Sequence, residues 1–309
     1  MNTRAVRALR IAGSALLLGA LVYLLPRGEL LAALRQASLV VLGPAVLAFG
    51  LCHVAAASKW RLLMGRSSDV SWSKAVRAHF TGLVGNLSPL GMIGGDLVRA
   101  GVAINGSRQA SAIMLTSVVD RVIDTAALML VALGGFAWIG ARSRTTNVVL
   151  LGGFVVSVAG IAVMLVAHAI LQRTQNVRLA GMRNAFQVLL AQPGLMLQAL
   201  VLSVAIQTTL IAINAYIGRS VGVESAFAAW LLAWPAAKFA AYLPVGFAGF
   251  GVRETALVAL LAPFGGAAGP VLAAGLLWDV VLIVASVGGW LLCLARTSGS
   301  TPAVRVQKT

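Results

Sequence analysis

The sequence predicts an all-α fold, a polytopic helical membrane bundle, and three observations carry that prediction. Of the 309 residues, 60% are hydrophobic and only 10% are charged, against about 25% charged in soluble domains. The mean hydropathy is +0.93, and apolar runs long enough to cross a bilayer recur along the chain. The basic residues sit in short patches between those runs, the pattern of a membrane protein oriented by its loops. These features predict one transmembrane domain, residues 1–309, with no sizeable extramembrane part.

Six full spans follow from the apolar runs: Val6–Leu25, Leu39–Ala57, Gln109–Ile139, Val148–Leu171, Gly194–Ile217 and Ala268–Leu294. The first has Arg4, Arg7 and Arg10 before it, like a signal peptide, but no A-x-A-like site after it, so it is read as an uncleaved span. Two regions, Trp72–Ile104 and Ser225–Pro263, do not fit a single span. The first is interrupted around Asn86, Pro89, Gly94 and Gly95, the second around Pro244, Gly246, Gly249 and Gly251. Proline removes a backbone donor and glycine weakens a helix, so each region is expected to form two half-helices joined by a turn. Irregular backbone at membrane depth survives only inside protein or beside water, which makes both regions re-entrant helical hairpins.

The net charge of +16 comes from 24 Lys+Arg against 8 Asp+Glu. No soluble basic module carries it, so nucleic acid is not the expected partner. The patches Arg4/Arg7/Arg10, Lys59/Arg61/Arg66/Lys74/Arg77, Arg173/Arg178/Arg183 and Arg296/Arg305/Lys308 are assigned to the cytoplasmic face, with both termini. The alternation holds only if each interrupted region returns to the face it came from. Each half then reads span, span, hairpin, span, and an odd number of spans inverts the second half. The halves are residues 1–146 and 147–309, and paired interrupted segments in inverted halves point to a transporter's central site.

Charge within a membrane is costly and needs a reason. Asp120, Arg121 and Asp124 lie within roughly a quarter-turn of one helix. If they sat at the interface, the remaining Thr125–Ile139 would cross only about 22 Å of the ~30 Å hydrocarbon. Two readings stand: a site for an amine or a proton, or an Arg121–Asp124 pair that fixes packing while Asp120 bonds a hairpin backbone. The first hairpin carries Asp96 and Arg99, expected where its second half-helix begins, and the second hairpin carries Arg253 and Glu254 at the equivalent place. A half-helix N-terminus with a nearby arginine suits a phosphate, while structural locks are the alternative. Asp279 in the last span has Arg253 or Lys238 as expected partner. His53 and His79 read as isolated packing residues. The sequence has no H-E-x-x-H, G-x-S-x-G or P-loop motif. The two cysteines, Cys52 and Cys293, form neither a disulfide framework nor a metal site. No enzyme activity, cofactor or metal is expected.

The stretches Asn86-Leu87-Ser88-Pro89, Gly94-Gly95-Asp96-Leu97-Val98-Arg99, Asp120-Arg121-Val122-Ile123-Asp124 and Phe250-Gly251-Val252-Arg253-Glu254 resemble, in order and spacing, the flippase-like transmembrane family. This family is also known as the lysylphosphatidylglycerol synthase transmembrane region. The resemblance covers nearly the whole chain. It implies a relative of the N-terminal part of the bacterial multiple peptide resistance factor, which looks to move aminoacylated phosphatidylglycerol across the cytoplasmic membrane. Ending at Thr309 without a cytosolic aminoacyl-transfer domain, the chain is not expected to make that lipid. The expected function is translocation of a phospholipid or lipid-linked headgroup, the headgroup meeting Asp96, Arg99, Asp120, Arg121, Asp124, Arg253, Glu254 and Asp279. The partners are membrane lipids, anionic or lipid-linked, with lipid-synthesis enzymes as a further class. An intramembrane transferase or hydrolase and a non-catalytic scaffold of a lipid-synthesis complex are the alternatives.

Overall fold

A computed structural model describes residues 27–65, 68–88, 91–139, 177–241 and 251–298, and every regular element among them is a helix. In chain order these are α1 (Arg27–Arg35), α2 (Leu39–Leu63), α3 (Trp72–Asn86), α4 (Gly91–Ile104), α5 (Ala110–Ile139), α6 (Val177–Leu190), α7 (Pro193–Ser220), α8 (Phe227–Ala240), α9 (Val252–Leu261) and α10 (Ala268–Ser298), with a 3-10 turn at Ala262–Phe264. Four of them, α2, α5, α7 and the Ala268–Ala295 part of α10, are long and apolar enough to cross a membrane. They coincide with four of the six expected spans. The other two, Val6–Leu25 and Val148–Leu171, lie outside the described residues, as do Pro89, Pro244, Gly246 and Gly249.

Local chemistry sets the helix ends. Ser38 caps α2 by accepting the Val40 N–H, and Ser71 caps α3 by accepting the Lys74 N–H at 3.3 Å. Pro193 opens α7, where its missing N–H costs nothing. Gly251 precedes α9 with φ +84°, a conformation that side chains resist, and donates its N–H to the Glu254 carboxylate at 2.6 Å. Burial of apolar side chains joins the long helices. The largest core cluster gathers Phe49, Ile211, Trp230, Trp234, Leu257 and Trp278 from α2, α7, α8, α9 and α10.

Each interrupted region folds as two short helices packed on each other, α3 on α4 and α8 on α9. The first break is shorter than expected. Gly94 and Gly95, read as turn residues, lie within the first two turns of α4. Gly95 is there for packing: a Cβ on it would meet Asn86 Oδ1 at 1.8 Å and the Gly82 carbonyl at 2.4 Å. Small residues let two backbones approach in this way where apolar solvent supplies no drive for helix association. The turn therefore falls between Asn86 and Gly91, and Asp96 and Arg99 ride inside α4 instead of at its start.

The packing scheme is symmetric in a specific way. The first hairpin sets α3 against α10, and the second sets α8 against α5. Likewise α5 packs on α7 as α10 packs on α2, and α6 packs on α5 as α1 packs on α10. Exchanging α1–α5 with α6–α10 carries each of these pairings onto another. The short helices α1 and α6 are part of this correspondence, although the sequence reading placed both stretches in loops.

Candidate functional site

Three acids and three bases meet where α2, α4, α5 and α7 converge. Asp120 and Asp124 are the eleventh and fifteenth residues of the 30-residue α5, one turn apart on one face. Between them sits Lys59 of α2, whose ammonium lies 3.0 Å from Asp120 Oδ1, bonds Asp124 and donates to Ser203 Oγ at 2.6 Å. Ser203 on α7 donates in turn to Asp124 at 2.7 Å. Arg99 on α4 donates through Nη1 to the other oxygen of Asp120 at 2.9 Å and lies 4.5 Å over the Trp60 ring. Arg121 grips Asp96 with its fork, Nε donating at 2.6 Å and Nη2 closing the second bond.

Several expectations change here. Lys59 was assigned to a cytoplasmic basic loop, yet it is 1% exposed. α2 continues to Leu63, past the expected end at Ala57, which carries Lys59 along the helix and turns it toward α5. The packing alternative paired Arg121 with Asp124, but its fork takes Asp96 across the α4–α5 contact. The i, i+3 Asp96–Arg99 pair is long, 3.8 Å, because each partner has a closer one elsewhere. Asp120 bonds side chains, not a hairpin backbone.

A second cluster forms where α9 meets α10. Arg253 bonds both Glu254, its neighbour in α9, and Asp279 of α10, and lies 5.5 Å from the centre of the Trp234 ring. Asp279 is thus a partner of Arg253, while Lys238 on α8 donates to Gln207 on α7 at 3.2 Å. Glu254 is 0% exposed, and Gly275 of α10 leaves room for it: a Cβ there would meet the Glu254 Cγ at 2.9 Å. Asp279 is the twelfth residue of α10, so both clusters pair a hairpin arginine with a carboxylate near one register of the following long helix. The arginines themselves are not at matching places. Arg253 is the second residue of its helix and Arg99 the ninth, so no half-helix N-terminus is available to assist Arg99.

α7 connects the clusters. Ser203 and Gln207, one turn apart, face Lys59 and Lys238, and the Lys238 charge lies in the fields of Asp124, Arg121, Lys59 and Arg253. Taken over both clusters, Asp96, Asp120, Asp124, Glu254 and Asp279 balance Lys59, Arg99, Arg121, Lys238 and Arg253. Two donors of Arg99, Nε and Nη2, have no hydrogen-bond partner among the described residues although the residue is 3% exposed. Beside this line His53 and His79 are joined, not isolated, with Nδ1 of His53 3.0 Å from Nε2 of His79. Sequence reasoning missed Lys59, Ser203 and Gln207. The one available signal was arithmetic: the five acids Asp96, Asp120, Asp124, Glu254 and Asp279 outnumber Arg99, Arg121, Arg253 and Lys238 by one, so a further cation had to turn inward.

A family model, described as the lysylphosphatidylglycerol synthase transmembrane region, matches residues 7–289. No curated protein matches the chain. The match takes in the hairpins, the long helices and all ten of these charged residues, and the chain belongs to the lysylphosphatidylglycerol synthase transmembrane-region family.

Proposed function

We propose that the protein is a flippase-like translocase of the cytoplasmic membrane, moving a phospholipid or lipid-linked headgroup between leaflets without a chemical step. The observation that carries this reading is the electroneutral charge line, buried at Lys59, Arg99, Asp120, Glu254 and Asp279, that runs from Asp96–Arg121 to Arg253–Asp279. A zwitterionic or aminoacylated headgroup crossing apolar surroundings needs both signs of charge supplied along its path. Because both arginines are already held by carboxylates, a headgroup phosphate enters by exchange. It takes the fork of Arg99 or Arg253 while the headgroup amine takes the released Asp120 or Asp279. Neutrality is preserved at each stage, and the open Nε and Nη2 donors of Arg99 offer the first foothold. The driving force is the lipid gradient or a proton taken up by a carboxylate.

The exchange symmetry of the helix packing supports an inverted repeat of residues 1–146 and 147–309, with both hairpins re-entrant, both termini cytoplasmic and the charge line at the centre. The structural-lock reading is favoured by one observation, the double pairing of Arg253, and the same experiment separates the two. The protein is reconstituted into vesicles with headgroup-labelled lipids, and label reaching the inner leaflet is measured. Protein-dependent movement that an Asp120→Asn/Asp124→Asn variant loses while staying folded supports translocation. Normal movement by that folded variant rejects a role for these carboxylates.

A further inference from the structure

A groove of about 730 Å³ opens between α2, α3 and α10, and none of the ten charge-line residues is in its lining. Its floor is apolar, formed by Gly50 and Val54 of α2, Phe80 of α3, and Val284 and Gly288 of α10. The first two turns of α3 line it with Trp72, Lys74 and Arg77. Among the described residues of the lining those two cations are the only charged ones. Among the described residues Arg77 makes no ion pair within 4.0 Å, while Lys74 donates to the Asn105 carbonyl at 2.7 Å and lies in the field of Asp69. The Trp72 indole donates to Ser58 Oγ at 2.9 Å and stays half exposed, the pose of an aromatic at a membrane interface.

We infer that this groove holds one phospholipid with an anionic headgroup, its acyl chain along α2 and α10 and its phosphate between Lys74 and Arg77. The volume lies in the range of about 300–1,000 Å³ typical of small-molecule sites. An apolar trough ending in two cations, with no acid among its described lining residues and only the field of Asp69 reaching Lys74 from outside it, is complementary to an anionic amphiphile and not to a neutral one. The two glycines of the floor matter. A Cβ added to Gly50 or Gly288 meets nothing within 4 Å, so both positions face open space inside the groove. Gly289, by contrast, is pressed against the Phe80 ring, where a Cβ would come within 2.2 Å, and this contact closes the floor. The inference rests on the proposed role in lipid handling, and names where a lipid waits before it meets the charge line.

The test uses the purified full chain in phosphatidylcholine nanodiscs containing phosphatidylglycerol with a diazirine on one acyl chain. After photolysis, crosslinked peptides are mapped by mass spectrometry. Crosslinks to α7 around Leu197 and Val201, which face outward, report bulk lipid and serve as the internal reference. Crosslinks to residues 46–54 and 284–293 are expected to be displaced by unlabelled phosphatidylglycerol far better than by unlabelled phosphatidylcholine. Lys74→Gln and Arg77→Gln should each reduce that preference about fivefold, the effect of one cation near an anionic headgroup. Gly50→Leu with Gly288→Leu should abolish the groove crosslinks and spare those on α7. Equal displacement by both lipids overturns the proposal, as do groove crosslinks that survive the double leucine variant. Absence of groove crosslinks in the unmodified protein overturns it too, since another part of the chain then covers the trough. Lipid movement is scored separately on the same preparations: groove crosslinks without movement would remove the translocase reading and leave the binding site.

Discussion

Replacing Lys59 by methionine tests whether the α2–α5–α7 junction is held by charge. Lys59 donates to Asp124 and to Ser203, the latter at 2.6 Å, and forms an ion pair with Asp120 at 3.0 Å. After substitution Asp120 keeps Arg99 at 2.9 Å, while Asp124 keeps the Ser203 hydroxyl at 2.7 Å and the more distant fields of Arg121 and Lys238. The main cost is therefore Asp124 left without its close counter-ion, and removing one partner of a buried pair costs about 3–5 kcal/mol. Adding Asp124→Asn removes the stranded charge and restores the balance of acids and bases, so the double variant should recover to within about 1–2 kcal/mol of the parent. The coupling between the two sites is then at least ~1 kcal/mol before the loss of the Asp124→Asn single variant is counted, which contacts in one network reach. Reversible unfolding of the purified protein in detergent, for the parent, both single variants and the double, measures it. Additive losses, or a Lys59→Met loss below about 1 kcal/mol, would refute the claim that a paired lysine organises this junction.

Other outcomes follow from the same geometry. Arg99→Lys and Arg253→Lys should each weaken binding of an anionic lipid headgroup by roughly 1–2 kcal/mol, because lysine lacks the fork and stacks poorly on Trp60 or Trp234; calorimetric titration with a short-chain phosphatidylglycerol reads this, and non-additive losses mark a shared headgroup. Gly95→Ala should separate α3 from α4 at a cost of at least about 1–3 kcal/mol, since its methyl would occupy the place of Asn86 Oδ1, and the loss appears as a lower unfolding midpoint. Asp69, in the loop between α2 and α3, accepts from the Ser107 hydroxyl at 2.6 Å and the Arg108 N–H at 2.9 Å, and these bonds hold its carboxyl below the ordinary value. A depressed carboxylate helps above its unfolded value and loses that help as pH falls through the folded one, so the protection factors of amides 105–109, referenced to the intrinsic exchange rate at each pH, should fall on acidification below about pH 4 and should fall at neutral pH in Asp69→Asn. Single cysteines at Thr3 and Ser300, with Cys52 and Cys293 replaced, should be shielded from an impermeant reagent outside intact cells; labelling at Ser300 would end the inverted-repeat proposal.

The sequence by itself determined the solvent and the elements. Long apolar runs specify membrane-length helices because backbone groups in lipid must bond within their own segment, and four of the six expected spans coincide with described helices to within a few residues. It also singled out most of the buried charges, since an ionisable residue inside an apolar run stands out in one dimension. Who pairs with whom was decided only by tertiary structure. Arg121 passes over its own-helix neighbour Asp124 for Asp96, and Asp120 takes Arg99 from another helix, because the close α3–α4 contact at Gly95 fixes where α4 lies against α5. Lys59 was hidden for a related reason. Near the end of an apolar run a lysine looks like a loop cation, and only the extra helical turns of α2, together with two acids waiting across the interface, turn it inward. Rotation about a helix axis and the reach of a side chain to a residue 61 or 65 positions away are properties of the packed bundle, and no local pattern encodes them.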